Sequence, residues 1–480
     1  MEYETVIGLE VHLQLSTNSK IFCGASAEFG GDPNEYIDPL TFGLPGSLPV
    51  LNEKVVEYAI MMGLALHCQI RRLNQFARKH YFYPDLPKGY QISQYEEPIC
   101  EQGYVEVYTS ESVRTVGITR IHMEEDAGKN IHDPRTNSSL VDLNRAGVPL
   151  LEIVSQPDIR SASEASDYLR TIRQIARYLG ISDGNMEEGS LRCDANISLR
   201  PKGELKFGTR TEIKNINSFK FVERAIEYEV ARQHAILKGD GSVVQETRLF
   251  DSVTGTTRSM RSKEESSDYR YFPDPDLPPL VIEESWIETV RSRMPMLPAE
   301  CRRVLIEEHE LSEYDANVLT AERSFMEYFE EVRKVSGNAK LSCNWVTSEL
   351  FGALKKAGKD IEDSPISSTA LGELVTMLSK GDVNGKMAKD IFEEMFQSGA
   401  SASEVVEKKG LKQITDDSVI RKYVLEVLSE QPEQLTKYLE GNDRLFGFFV
   451  GQVMKKTNGS ANPKIANEIL SEEIEKKRNA

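Results

Sequence analysis

The chain has 480 residues, 39% hydrophobic and 28% charged, with 18 Phe and 18 Tyr. That length divides into two to four domains at about 100–200 residues each, and the apolar content excludes disorder, collagen and a disulfide miniprotein. A net charge of −18 argues against a generic basic nucleic-acid binder and favours an enzyme that holds divalent cations on carboxylates.

No apolar run approaches the roughly 18 residues that span a bilayer. The acidic start Met1-Glu-Tyr-Glu-Thr5 lacks the apolar core of a secretory signal. Cys23, Cys68, Cys100, Cys193, Cys301 and Cys343 are scattered, which reads as reduced thiols. A soluble cytoplasmic protein is expected, with no membrane contact.

In chain order, period-two alternation predicts strands at Thr5–Leu15, Gly103–Tyr108 and Leu191–Leu199. Helices are expected at Lys54–Cys68, at Ser163–Leu179 with Ser163 as its cap, and at Phe219–Leu237. The interleaving predicts an α+β fold with a mostly antiparallel sheet. Tyr271–Pro279 is dense in proline and reads as an extended strap without regular structure. After Met294–Pro298 the spacing turns helical at Ala299–Glu308, Glu313–Lys334, Leu341–Lys355, Ile366–Lys380 and Lys386–Gln397. Ser401, Asp416 and Gln431-Pro432 read as helix starts in a last small unit. Domains are therefore expected at 1–294, 295–405 and 406–480.

Several polar clusters interrupt this pattern. Glu10 and His12 are two apart on a strand and share a face, so they can aim at one cation. Taken alone, the pair matches an ordinary solvent face. His122, Glu124 and Asp126 share one strand face, Met123 and Glu125 the other. Three successive acids repel unless a cation or Arg is near, although a strand end running into a Gly turn reads the same. Glu152 interrupts the apolar run Val148–Val154. A buried carboxylate must be paired, protonated or metal-bound, and Arg145 is as good a partner as a metal ion. Arg192, Asp194, Asn196 and Ser198 form one polar face, and Arg210, Glu212 and Lys214 form another. Gathered on one sheet, these charges make a floor for phosphates and cations.

Two segments read as ligand loops. Arg78–Gln94 mixes aromatics with Lys79, Lys88 and Gly89, and Arg258–Lys263 precedes the aromatic run Asp268–Pro273. Local packing of some rings is the simpler account, less so for the Lys and Arg. No P-loop, dinucleotide fingerprint, H-E-x-x-H, paired C-x-x-C or G-x-S-x-G occurs. Any ATP would therefore sit on metal ions held by sheet carboxylates.

Ile7–Leu15, Tyr81–Gln94, Glu124–Lys129, Asn144–Glu152, Glu187–Asn196, Glu212–Ser218 and Asp268–Pro273 together resemble the B subunits of the aspartyl/glutamyl-tRNA(Asn/Gln) amidotransferases. The likeness continues through Asn344–Val346, Gly385–Lys389 and Gly447–Lys455, and so spans nearly the whole chain. It implies a catalytic cradle akin to glutamine synthetase and guanido kinases, a helical domain, and a YqeY-like tail that contacts tRNA. The implied activity phosphorylates the side-chain carboxylate of misacylated Glu-tRNA(Gln) or Asp-tRNA(Asn) with ATP and displaces the phosphate with ammonia. The ammonia would come from the amidase member of a GatCAB heterotrimer, completed by its C subunit, in keeping with the missing hydrolase nucleophile.

The resemblance places magnesium on Glu10, His12, Glu125 and Glu152, with Glu124 and Asp194 for a second ion. Glu152, Arg192 and Lys214 are the expected catalytic residues, the last two holding carboxylate or phosphate. Lys79, Lys88, Arg210 and Glu212 are expected at the nucleotide. Many relatives carry a zinc knuckle, C-x-C followed by C-x-x-C, but here Cys23 stands alone with Asp38 and Thr41 at the second pair. No zinc site is expected.

Two other readings remain. A glutamine-synthetase-like ligase for a free amino acid would need the same metals but not the helical region. A non-catalytic tRNA scaffold is disfavoured by the placement of Glu152. Residues 451–480 hold six Lys or Arg against four Glu, which fits modest phosphate contact and equally a solvated helix end.

Overall fold

A computed structural model describes residues 2–109, 112–133, 135–262, 269–409, 414, 416–457 and 459–478. Lys263 and Asp268, in the second expected ligand loop, lie outside the described residues. The chain forms two compact units, Met1–Ala299 and Glu300–Ala480.

The first unit is α+β, as its alternation requires. Its principal strands are β1 (Tyr3–Gln14), β2 (Gln69–Ile70), β3 (Ala77–His80), β4 (Tyr90–Ser93), β5 (Cys100–Tyr108) and β6 (Val113–Glu125). They continue with β7 (Pro149–Ser155), β8 (Leu191–Pro201), β9 (Thr211–Ile216), β10 (Glu246–Asp251), β11 (Thr256–Ser262) and β12 (Phe272–Pro273). Nine of them make one sheet in the order β11-β10-β9-β8-β1-β7-β6-β5-β2. Every pairing in it is antiparallel except β9 with β10.

Leu9, Val11 and Leu13 of β1 and Leu191, Cys193, Ala195 and Ile197 of β8 point to one face, where they are buried. Helices α1 (Glu53–Ala65), α2 (Ala162–Leu179) and α3 (Phe219–Lys238) supply Ile60, Tyr168, Ile172, Val222 and Ile226 to the same core. The residues between, on the other face, are free to carry charge. The cap of α2 is Ser161, whose hydroxyl accepts from Glu164 N at 3.2 Å, and not Ser163. Gly180 ends this helix at φ +67°, a left-handed conformation that suits glycine.

A small second sheet, β12-β3-β4, flanks the first. Its β12 lies inside the proline-rich strap expected to be irregular: Phe272 pairs with Arg78 and Pro273 with Ala77. Proline is tolerated there because β12 is an edge strand. Arg78 fastens the strap through Asp274 at 3.0 Å and Asp276 at 2.5 Å. Arg258, expected in a loop, sits in strand β11 instead.

The second unit is helical. The expected helix Glu313–Lys334 is two, Glu313–Leu319 and Arg323–Ser336, and Leu341–Lys355 contains a π-helical turn at Trp345–Leu350. Ser401, Asp416 and Gln431 each precede a helix, with Pro432 in the first turn of the last. The final helices close on their own core of Ile420, Val424, Phe449, Val453 and Leu470. No described helix is long and apolar enough to cross a membrane.

Candidate functional site

Strand register assembles the site. His12 faces Glu152 across β1–β7 and Arg192 across β1–β8, and Glu152 faces His122 across β7–β6. Glu10 faces Asp194, and Asn196 faces Glu212. One charged band thus crosses five adjacent strands, β9-β8-β1-β7-β6, on the face away from the helices.

Two donor groups lie in this band. One ligand atom from each of His12, Glu124 and Glu152 falls within 4.8 Å of the others, and the same holds for Glu10, Asp194 and Glu212. His12 Nε2 is 3.2 Å from Glu152 Oε2 and 3.7 Å from Glu124 Oε1. Converging carboxylates with one imidazole suit a hard divalent cation, so the first group fits magnesium. The second already contains a cation, for Lys214 Nζ lies 2.5 Å from Asp194 and 3.2 Å from Glu212.

The charges are tightly balanced. Burial alone would pull the His12 imidazole down, but Glu152, Glu124 and Asp194 hold it up at about 9. Burial would raise Glu152, yet His122, His12 and Lys79 hold it far below the usual carboxylate range. Glu10 is raised by burial and by the neighbouring Glu152, Asp194 and Glu212. Burial depresses Lys79, but Glu124, Tyr271 and Glu152 raise it overall, so this lysine feels the acids although it stands on β3.

Arg145 is not the partner of Glu152. Its guanidinium donates to Ala127 O and Gly128 O at 2.9 Å each and lies 3.5 Å from Asp126. Arg192 also engages Asp126, at 2.9 Å, which aligns its guanidinium along the band. Glu125 belongs to neither donor group. Successive strand residues point to opposite faces, so Glu125 turns toward Lys88, with which it pairs, and accepts from Ile92 N at 2.7 Å. Glu124 takes the place beside His12 that the resemblance gave first to Glu125.

Of the expected nucleotide residues, Arg210 lines a cavity of about 530 Å³ with Gly8, Glu10, Asn196 and Phe207. Glu212 is held by Thr247 at 2.7 Å, while Lys79 and Lys88 lie toward β6 and do not line this cavity. Reading the sequence grouped His122 with Glu124 on one strand face but missed its place in the site: its Nε2 is 3.6 Å from both Glu124 and Glu152 and its Nδ1 is buried without a hydrogen-bond partner. It also missed Ser93, which donates to Glu124 Oε2 at 3.2 Å. The shared face of His122 and Glu124 was a signal for the first; nothing local pointed to the second.

Cys23, Asp38 and Thr41 do meet. Asp38 accepts from Thr41 N at 2.9 Å and Thr41 Oγ1 at 3.1 Å, and bonds the Cys23 thiol, so its oxygens cap a turn.

A cradle sheet bearing such a band is the architecture of a known class: residues 5–288 match the family model described as the GatB/GatE catalytic domain, and residues 327–474 match the GatB domain. The aspartyl/glutamyl-tRNA(Asn/Gln) amidotransferase B subunit of Thermodesulfovibrio yellowstonii is 54% identical over 470 residues, covering 98% of this chain and 99% of that one. The corresponding proteins of Persephonella marina and Thioalkalivibrio sulfidiphilus are 55% and 56% identical, over 98% and 99% of this chain and 99% and 100% of theirs. The chain belongs to the GatB family of amidotransferase B subunits.

Proposed function

We propose that this chain is the ATP-dependent kinase and transamidase subunit that converts misacylated Glu-tRNA(Gln), Asp-tRNA(Asn) or both to Gln-tRNA(Gln) and Asn-tRNA(Asn). It works in the cytoplasm, in a GatCAB heterotrimer whose amidase member supplies ammonia and whose C subunit completes the assembly. The observation that carries this reading is the His12–Glu124–Glu152 group set in a charged band beside a cavity large enough for a nucleotide.

His12, Glu124 and Glu152 would hold a magnesium ion, and Glu10, Asp194 and Glu212, beside Lys214, would offer donors for a second. A divalent cation held by these residues would supply charge neutralisation for the transferring phosphoryl group. Arg210, at the cavity wall, approaches the nucleotide. Arg192, Lys214 and Lys79 orient the substrate carboxylate and the phosphoryl oxygens, and their fixed charges need no rearrangement during reaction. A carboxylate oxygen forms a bond to the γ-phosphorus as the bond to ADP breaks. Ammonia's lone pair then attacks the acyl carbon, the carbon–oxygen bond to phosphate breaks, and nitrogen loses a proton. Phosphate leaves where hydroxide could not.

Cys23 with Asp38 offers one thiolate and an already engaged carboxylate, too few donors for tetrahedral zinc, and no zinc is expected to bind. The helical region divides near 405, the tail meeting tRNA through the Lys and Arg side chains of residues 451–480.

The test supplies the heterotrimer with Mg-ATP and ammonium chloride, which bypasses the amidase. ADP and Gln-tRNA or Asn-tRNA formed only with charged tRNA are expected. Turnover of free glutamate would instead indicate a small-molecule ligase, and tRNA binding without ADP a scaffold.

A further inference from the structure

Beyond the Glu124 end of the band is a second, smaller pocket of about 220 Å³, walled by Ala77, Tyr95, Glu96, Tyr271 and Phe272. The Tyr95 and Tyr271 rings are stacked, with centroids 4.3 Å apart and planes 10° from parallel. Tyr95 is 49% and Phe272 41% exposed, so these rings are not spent on the core. A stacked pair with an open outer face is a platform for a further flat ring. At the rim, Glu96 can accept from an exocyclic amine, and Glu97 is already paired with Arg71 at 3.6 Å. The acidic rim suits a base rather than a phosphate. Arg71 is taken up by Glu97 and Glu101 and Arg78 by Asp274 and Asp276, while Lys79 Nζ lies 4.9 Å from the Tyr269 ring, on the side toward Glu124.

We infer that this pocket seats the 3′-terminal adenine of the aminoacylated tRNA, stacked on Tyr95 and Tyr271. The inference rests on the tRNA-dependent reading above. Placement supports it: Ala77 pairs with Ser93, and Ser93 donates to Glu124 at 3.2 Å. One strand spacing and one hydrogen bond set the pocket about 10 Å from the acids, the reach of an aminoacyl ester from its terminal base to its side-chain carboxylate. ATP also carries adenine, and a π face accepts either. The larger cavity opens beside Glu10, Asn196 and Arg210, across the band. Two separate cavities beside the band give each substrate its own, with carboxylate and γ-phosphate meeting between.

The experiment uses the full heterotrimer with ammonium chloride and compares Tyr95→Ala with Tyr95→Trp. Tyr95→Ala is expected to raise KM for misacylated tRNA about ten-fold or more, to leave KM for ATP and kcat near wild type, and to be rescued by Tyr95→Trp. A tRNA transcript ending in 2-aminopurine should lose fluorescence on binding the wild-type complex but not Tyr95→Ala. A rise in KM for ATP instead would assign the pocket to the nucleotide. Unchanged KM for both substrates, or quenching retained in Tyr95→Ala, would overturn the inference. A wild-type complex that makes no ADP would sink the functional reading, while the fluorescence still reports on the pocket.

Discussion

His12 and Glu152 stand directly opposite each other across the β1–β7 ladder, with His12 Nε2 3.2 Å from Glu152 Oε2. The pair explains how a carboxylate survives in the apolar run Val148–Val154: His12, His122 and Lys79 compensate it from three other strands. Glu152→Gln keeps the shape and removes the charge. ADP release should fall at least about a hundred-fold and need more magnesium, as when a metal site loses its supporting charge. Full activity with the wild-type magnesium dependence would refute the ligand role.

Glu124 and Glu125 are adjacent but should fail differently. Glu125 and Lys88 are both buried, their side chains only 4% and 5% exposed. Glu125→Gln leaves Lys88 uncompensated at a cost of about 3–5 kcal/mol, so its thermal unfolding temperature should drop clearly. Glu124→Gln gives up attraction to His122 and His12 but also repulsion from Glu152, and it can keep the Ser93 contact. It should unfold at a temperature closer to wild type than Glu125→Gln does, yet lose the magnesium response. Calorimetry paired with a magnesium titration separates the two.

Lys20 is fully buried and donates to Leu143 O at 3.2 Å. Burial lowers it to about 8 against the partial support of Cys23, Asp38, Glu125 and Asp142. Between pH 8 and its unfolded value near 10.4, the unfolded chain binds the extra proton, so stability should rise with pH across that window. Lys20→Met should remove this slope and, at pH 7, stabilise by on the order of 2 kcal/mol. Urea unfolding at pH 7, 9 and 10 gives the answer; a wild-type stability that falls over this range would contradict it.

Gly208 lies in the wall of the larger cavity, and a Cβ there would overlap Leu199 O, a backbone atom that cannot swing aside. Gly208→Ala should displace the loop that carries Phe207 and Arg210 and raise KM for ATP by about ten-fold or more. KM for tRNA should stay near wild type. Equal changes in both would point to general unfolding of the sheet edge.

Local chemistry determined a good part of this. Alternation in Thr5–Leu15 and Leu191–Leu199 set strand type and the charged face, because side chains repeat every two residues whatever the neighbours. Glu152 in its apolar run, and the helix starts at Ser401, Asp416 and Gln431, were legible for the same reason. What the tertiary structure decided is non-local. Parity separates Glu124 from Glu125, but only the β7–β6 register shows which of them reaches Glu152 and His12. Arg145 was an equal candidate for Glu152 until the fold turned it to Asp126. Ser93 reaches Glu124, and Tyr95 stacks on Tyr271, because strands β4 and β12 flank one short strand, β3. Such contacts follow from which strands adjoin, a choice made by the cooperative burial of the whole sheet and written in no single segment.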